Sequence, residues 1–460
     1  MTRWTLPLVL LVMATAAGAA HAQGFIIPEL GTRKNAMGAA VGRPDDLSAI
    51  YHNPAALALL PGTQLAAAFG AVVLDVDLRL APWSGSDQFI GAPESDGYYP
   101  RQNPTVFAPM PMIGASTNLW SDKIVGAIGI YVPNAAGADF GADKPSRYHI
   151  IDAYVFSAFF TAAVAYRPFP WLAVGLGGSA VYVRIQRRTL LYPVFPREED
   201  PQNPLNLSGL LGKEAELELE GDDVRPAFNL GIQAWPHRTV SLGFMVLSRY
   251  DVSLEGPLTL KPGPGSLFEA DAEIAKNRHR TEVIAPWIFA FGANWDITPW
   301  LEVGAELRYY LNSQVEEQVT TITEGGLADL MTSANMPSQI VTPKHLHDSF
   351  HFGGGFIVKP PLPLKLELMT GMHYENSSSP DNTVEVSAPS FDLAAFHVGA
   401  RWAITDRLRV AAAYAHYWYL ARETTDSITN PPTNFAGSGH TNMFTVVFEA
   451  RVGPGIGVGK

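Results

Sequence analysis

From residue 63 almost to its end, this chain alternates apolar and polar residues with period two, in segments of about 10 to 18 residues. A period of two places successive side chains on opposite faces of a strand, so each segment is a ribbon with one greasy side. In "WLEVGAELRYYLNS", Leu301, Val303, Ala305, Leu307, Tyr309 and Leu311 share one face. Glu302, Gly304, Glu306, Arg308 and Asn312 take the other. "PLKLELMTGMHYE" and "MFTVVFEARV" repeat the pattern, the second setting Phe444, Val446, Phe448 and Val452 against Glu449 and Arg451.

Strands are expected at 63–80, 107–118, 122–132, 147–166, 171–188, 224–235, 239–254, 283–296, 299–312, 348–359, 364–374, 391–404, 407–420 and 440–452. The links between them alternate. "LWSD", "RPFP", "PHR", "DITP", "KPPLP" and "ITDR" are short, whereas 81–106, 133–146, 189–223, 255–282, 313–347, 375–390 and 421–439 are long. An even strand count with short turns at one end and long loops at the other is the pattern of an outer-membrane barrel with both termini in the periplasm. A soluble β-sandwich also alternates, but it has shorter strands and no reason to sort its loops by length. Trp171, Trp235, Trp295, Trp300 and Trp402 beside short turns read as an interfacial girdle. The fold expected is all-β, a 14-stranded antiparallel transmembrane β-barrel, and a closed barrel without free edges is expected to be a monomer.

The first residues carry a positive start at Met1 to Arg3, an apolar run from Leu6 to Ala17 and a small-x-small site at Ala20-His21-Ala22. They read as a signal peptide over 1–22, with outer-membrane lipids, lipopolysaccharide and the barrel-assembly machinery as the expected partners in a Gram-negative envelope. The apolar run is too short for a membrane-spanning helix. Zero cysteines remove disulfides and thiolate metal sites, and a net charge of -12 argues against nucleic acid. Only 17% of residues are charged, below the roughly 25% of a soluble protein, so something other than charge covers much of the surface.

Residues 23–62 break the strand pattern. "AIYHNPAALALLPG" places Asn53 as an N-cap before Pro54, which predicts a two-turn helix from Pro54 to Leu60. A lone fourteen-stranded barrel has room for such a segment as a plug, giving a hatch at 23–62, a barrel at 63–452 and a tail at 453–460.

The segments "GTRKNAMGAAVG" at 31–42, "NPA" at 53–55, "YVPNAAG" after the third strand, "WLAVGLGGSAVYV", "SRYDVSLEGPL", "GMHYENSSSPD" and "VSAPSFDLAAFHVGARWAI" resemble the FadL/TodX type of outer-membrane transporters for long-chain fatty acids and aromatic hydrocarbons. The resemblance covers essentially the whole mature chain. It implies a hatch carrying the motif Asn53, Pro54 and Ala55, and a lateral window beside a bent third strand. One departure is the glycine-rich tail that continues past Phe448 to Lys460, where such barrels end on an aromatic residue.

The chain shows no nucleophile elbow, H-E-x-x-H or Walker loop, so no catalytic residues, cofactor or enzyme activity are expected. His345, His347 and His351 alternate where a loop enters a strand; the polar-edge reading outweighs a metal site, and no metal ligands are assigned. The charges assigned to the lumen are Arg249, Asp251, Glu302, Glu306, Arg308, Lys365, Glu367, His397, Arg401, Glu449 and Arg451, because charge on the lipid face costs a few kcal/mol per residue. They serve either as ion pairs pinning the hatch or as a cation for a substrate carboxylate. Gly126 and Gly129, ahead of Pro133, mark either a bend that opens the wall or relief for packing against the plug. Loop stretches at 190–195, 203–212 and 325–331 are greasy enough to capture a hydrophobic small molecule, the last two as short helices. The function expected is therefore diffusion-driven uptake of hydrophobic compounds. A non-transporting barrel with a structural or secretion-partner role is the alternative.

Overall fold

A computed structural model describes residues 30–60, 62–191, 214–264, 266, 275–333, 335, 337–361 and 365–452. The expected signal peptide, the tail and the loop stretch 203–212 lie outside the described residues.

Eighteen strand segments form one sheet. Four spans consist of two segments each, so fourteen spans cross the barrel: β1 Thr63–Leu80, β2 Thr105–Asn118, β3 Ile124–Asp139, β4 Asp152–Phe169, β5 Leu172–Leu190, β6 Glu216–His237, β7 Val240–Leu247 with Tyr250–Lys261, β8 Lys276–Ala285 with Ile288–Thr298, β9 Leu301–Tyr310 with Glu317–Gly325, β10 Gln339–Pro343 with Ser349–Val358, β11 Leu366–Glu375, β12 Leu393–Ala403, β13 Leu408–Glu423 and β14 Phe435–Val452. Every pairing between neighbours is antiparallel, and β1 closes the barrel by pairing both β2 and β14. The spans follow the expected strands one for one, as do the short and long connections. Two short turns use the same device: the backbone N–H groups of Leu301 and Leu408 each donate to a threonine hydroxyl, Thr298 and Thr405, both at 3.0 Å.

The four breaks line up in one row, since Leu247 pairs with Ile288, Ile288 with Tyr310 and Tyr310 with Ser349. Pro286 sits in this row and has no N–H for the ladder. Above it β6 to β10 continue on the long-loop side. No described helix is long and apolar enough to cross a membrane; the strands do that here, with Phe160, Leu176, Phe291, Phe352, Met372 and Phe444 exposed on the outer face. Trp171, Trp295, Trp300 and Trp402 are exposed at the short-turn end, and Trp235 beside them is half-buried under the Arg167 guanidinium, 4.7 Å from its ring. Because the sheet closes on itself through β1 and β14, the folded protein should migrate faster than its boiled form on SDS gels, and as a monomer. Identical migration of heated and unheated samples would contradict the closed barrel.

Candidate functional site

Residues 30–60 run through the interior, touching the inward faces of strands all round the wall. They hold helix α1 Thr32–Met37, helix α2 Ala49–His52 and a 3₁₀ helix Pro54–Leu59. The last is the helix expected over 54–60, in the tighter 3₁₀ form, and here Pro54 and Ala55 lie directly on the backbone of β5 and β6. A Cβ on Gly175 or Gly231 would overlap Pro54 or Ala55, so only glycine lets the two backbones meet. The Asn53 side-chain oxygen accepts the Ala55 N–H at 3.2 Å as the expected cap. Its amide also donates to the Ile232 carbonyl at 3.0 Å and the Gln233 side chain at 2.9 Å, ties that the sequence did not reveal. Asn53→Ala should cost roughly 0.5–2 kcal/mol for the cap alone. Hydrogen exchange should show faster opening confined to residues 49–60; uniform protection would disprove the tie.

Helix α1 went unforeseen. Gly31 and Gly38, at φ 80° and 73°, bracket it and turn Arg33 and Lys34 onto the wall. Arg33 pairs with Glu302 at 2.5 Å and with Asp45 at 2.9 Å; Lys34 pairs with Glu306 at 3.0 Å. The other Glu306 oxygen accepts the N–H groups of Ala40 and Val41 at 2.6 and 2.8 Å. Arg308 pairs with Glu306 and donates to His52 Nδ1 at 2.8 Å. Arg401 grips Asp45 with two 2.8 Å bonds and also pairs with Glu367. Glu302, Glu306, Arg308 and Arg401 thus stand together, buried against the N-terminal segment.

Arg249 and Lys365 do not belong to that wall. Inward positions run through Ser241, Gly243, Met245 and Leu247, then resume at Tyr250 and Val252, so the break at 248–249 inverts the phase. Arg249 and Asp251 therefore pair with each other on the outer surface, at 2.6 Å. Lys365 pairs with Asp406 at the exposed short-turn rim. The histidine trio divides as well: His345 and His347 are exposed, and His351 alone points inward.

The third span breaks ranks with its neighbour. The β2–β3 ladder ends at Met112↔Tyr131, and among the described residues β2 above that point pairs only with β1. The β3–β4 register shifts between Tyr131 and Asn134, where two residues on β3, Val132 and Pro133, stand against one on β4, Ala158. The irregularity thus sits at the proline rather than at the glycines. Gly129 faces inward, where an added Cβ would stand 3.3 Å from Ile50, and Gly126 faces outward over Leu119. Beside the bulge Tyr131 stacks on Phe159 at 5.3 Å and meets Tyr51 edge-on at 5.6 Å. On the outer face an apolar groove of about 500 Å³ is lined by Ile113, Gly114, Ile128, Gly129, Ile130 and Phe160. Leu47 and Ile50 lie behind Gly114 and Gly129, so here the wall between plug and lipid is one backbone thick.

On the long-loop side, helix α3 Gly326–Ser333 forms as expected and packs Leu327 and Met331 onto Leu258, Leu260 and Ile322.

A family model described as outer membrane protein transport protein (OMPP1/FadL/TodX) matches residues 13–451. Curated protein sequences yield no match. Among solved structures, a FadL homologue of Pseudomonas aeruginosa is similar at a TM-score of 0.76 and 15% identity, covering 93% of this chain and 99% of that one. The toluene transporter TodX of Pseudomonas putida has a TM-score of 0.70 at 15% identity, covering 92% of this chain and 98% of the other. The toluene transporter TbuX of Ralstonia pickettii has 0.65 at 15% identity, with coverage of 92% and 98%.

Proposed function

The chain belongs to the OMPP1/FadL/TodX family of outer-membrane transporters for hydrophobic compounds, and from that premise we propose that it takes up long-chain fatty acids or aromatic hydrocarbons by a route that leaves the lumen sideways, past β3. The observation carrying this reading is the parting of β2 from β3 above Tyr131, next to a lumen filled at the same level by the N-terminal segment. An apolar solute gains about 0.8 kcal/mol for each CH₂ it removes from water, so a path lined by Tyr51, Tyr131 and Phe159 and ending in an apolar groove suits it better than an aqueous pore. Capture is assigned to the long-loop side, where helix α3 lies over a buried apolar layer. The motif Asn53, Pro54 and Ala55 acts as the hinge of the hatch, held to β6 by bonds that cargo entering beside Tyr51 would strain.

The test compares swelling of protein-bearing liposomes in sugars with uptake of labelled oleate and toluene. Hydrophobic uptake without sugar swelling is the expected result. Swelling in sugars with no uptake of either hydrophobic probe would mean an open porin.

A further inference from the structure

Among the described residues, one group of histidines and carboxylates brings a ligand atom from each member within 4.8 Å of the others: His351, His373 and Glu375, all buried. The register of β10 and β11 creates it, setting His351 directly opposite Glu375 and Gly353 opposite His373, all on inward positions. His351 Nδ1 makes no hydrogen bond, although the residue is fully buried, and it lies 3.6 Å from Glu375 Oε2. That spacing is close to the roughly 3.3–3.6 Å between neighbouring ligand atoms of a tetrahedral ion with bonds of about 2.0–2.2 Å.

A second layer orients the next ligand. The Asn35 carbonyl, 3.0 Å away, can only accept, so His397 Nδ1 carries the proton and His397 Nε2 is left as an acceptor. His373 Nδ1, 2.8 Å from that nitrogen, must then donate to it, which leaves the lone pair of His373 on Nε2. A histidine whose other nitrogen donates to a fixed acceptor is the arrangement that supports metal ligation.

We propose that His351, His373 and Glu375 form a site for one divalent first-row metal ion, with zinc the best fit to a two-nitrogen, one-carboxylate set. The site lies against the hatch. His351 Nε2 is 2.6 Å from Lys34 Nζ and 3.4 Å from the Gly38 carbonyl. While it accepts from Lys34, its proton sits on Nδ1, the atom that a metal requires. Occupancy moves the proton to Nε2, which then faces Lys34 donor to donor and competes with it for the Gly38 carbonyl, which Lys34 Nζ reaches at 3.1 Å, so that the lysine turns toward Glu306. Metal binding is therefore coupled to how α1 is held.

The test uses the full protein in detergent, stripped with a chelator, dialysed and titrated with Zn²⁺, and with Co²⁺ for its visible ligand-field spectrum. One metal per chain is expected. His373→Ala and Glu375→Gln should abolish it, His397→Gln should weaken it roughly 10–100-fold, and His345→Ala with His347→Ala should leave it unchanged. Lys34→Met should tighten binding, because His351 then keeps the required tautomer. Heat-modifiability on gels identifies folded variants; if His373→Ala fails to fold, Glu375→Gln and His397→Gln carry the test. Metal content in wild type no higher than in Glu375→Gln would overturn the site, as would metal retained by the variants, which would then be adventitious. Unchanged affinity in Lys34→Met would overturn the coupling.

Discussion

Deleting residues 24–60 is expected to turn a nearly closed barrel into an ion-conducting one, with single-channel conductance in planar bilayers rising from near background to that of an open pore. The argument rests on what the N-terminal segment leaves behind. Arg33, Lys34 and Asp45 pair with Glu302, Glu306 and Arg401, three wall charges with almost no exposure, which keep Lys359, Arg308 and Glu367 as wall partners but lose one buried partner each. Removing one partner of a dry buried ion pair costs about 3–5 kcal/mol, so the emptied wall lowers its energy by taking in water rather than by collapsing. The barrel itself should persist, because its ladder closes through β1 and β14 and needs none of these residues. Conductance unchanged after the deletion, in protein that still shows a heat shift on gels, would mean that residues 24–60 are not the plug.

Deleting Pro133 is expected to abolish uptake of oleate and toluene while leaving assembly intact. The bulge holds one residue more on β3 than on β4, and removing one residue restores the count. Beyond the deletion each β3 side chain returns to the phase set by 124–131, and β3 can continue its ladder along β2 past Met112. That closes the parting beside Tyr51 and Tyr131. A parental uptake rate in a correctly assembled variant would rule out the β3 route. Substituting the glycines would not straighten the bulge directly: Gly129→Val presses on Ile50 of the hatch, and Gly126→Val presses on Leu119 at the turn.

Much of this was legible before any coordinates. The number of spans, their order and the sorting of loops by length follow from period-two alternation, which is local and which lipid enforces span by span, since an unpaired backbone or an outward charge is too costly there. The cap at Asn53 and the helix at 326–333 are equally local. The inward placing of Glu302, Glu306, Arg308 and Arg401 needed only the phase of each residue's own strand.

What the tertiary structure decided depends on register between strands. One extra residue between Leu247 and Tyr250 sends Arg249 outward, and nothing in the stretch 239–254 shows where alternation slips. His351 looked like a neighbour of His345 and His347, yet its neighbours are His373 and Glu375, because β10 and β11 align His351 with Glu375 across the ladder. Gly175 and Gly231 read as ordinary strand glycines until the backbone at Pro54 and Ala55 rests on them. Alternation tells a side chain which face it occupies, but not what stands opposite; that is set by pairings between residues far apart in the chain, and only the closed barrel chooses them.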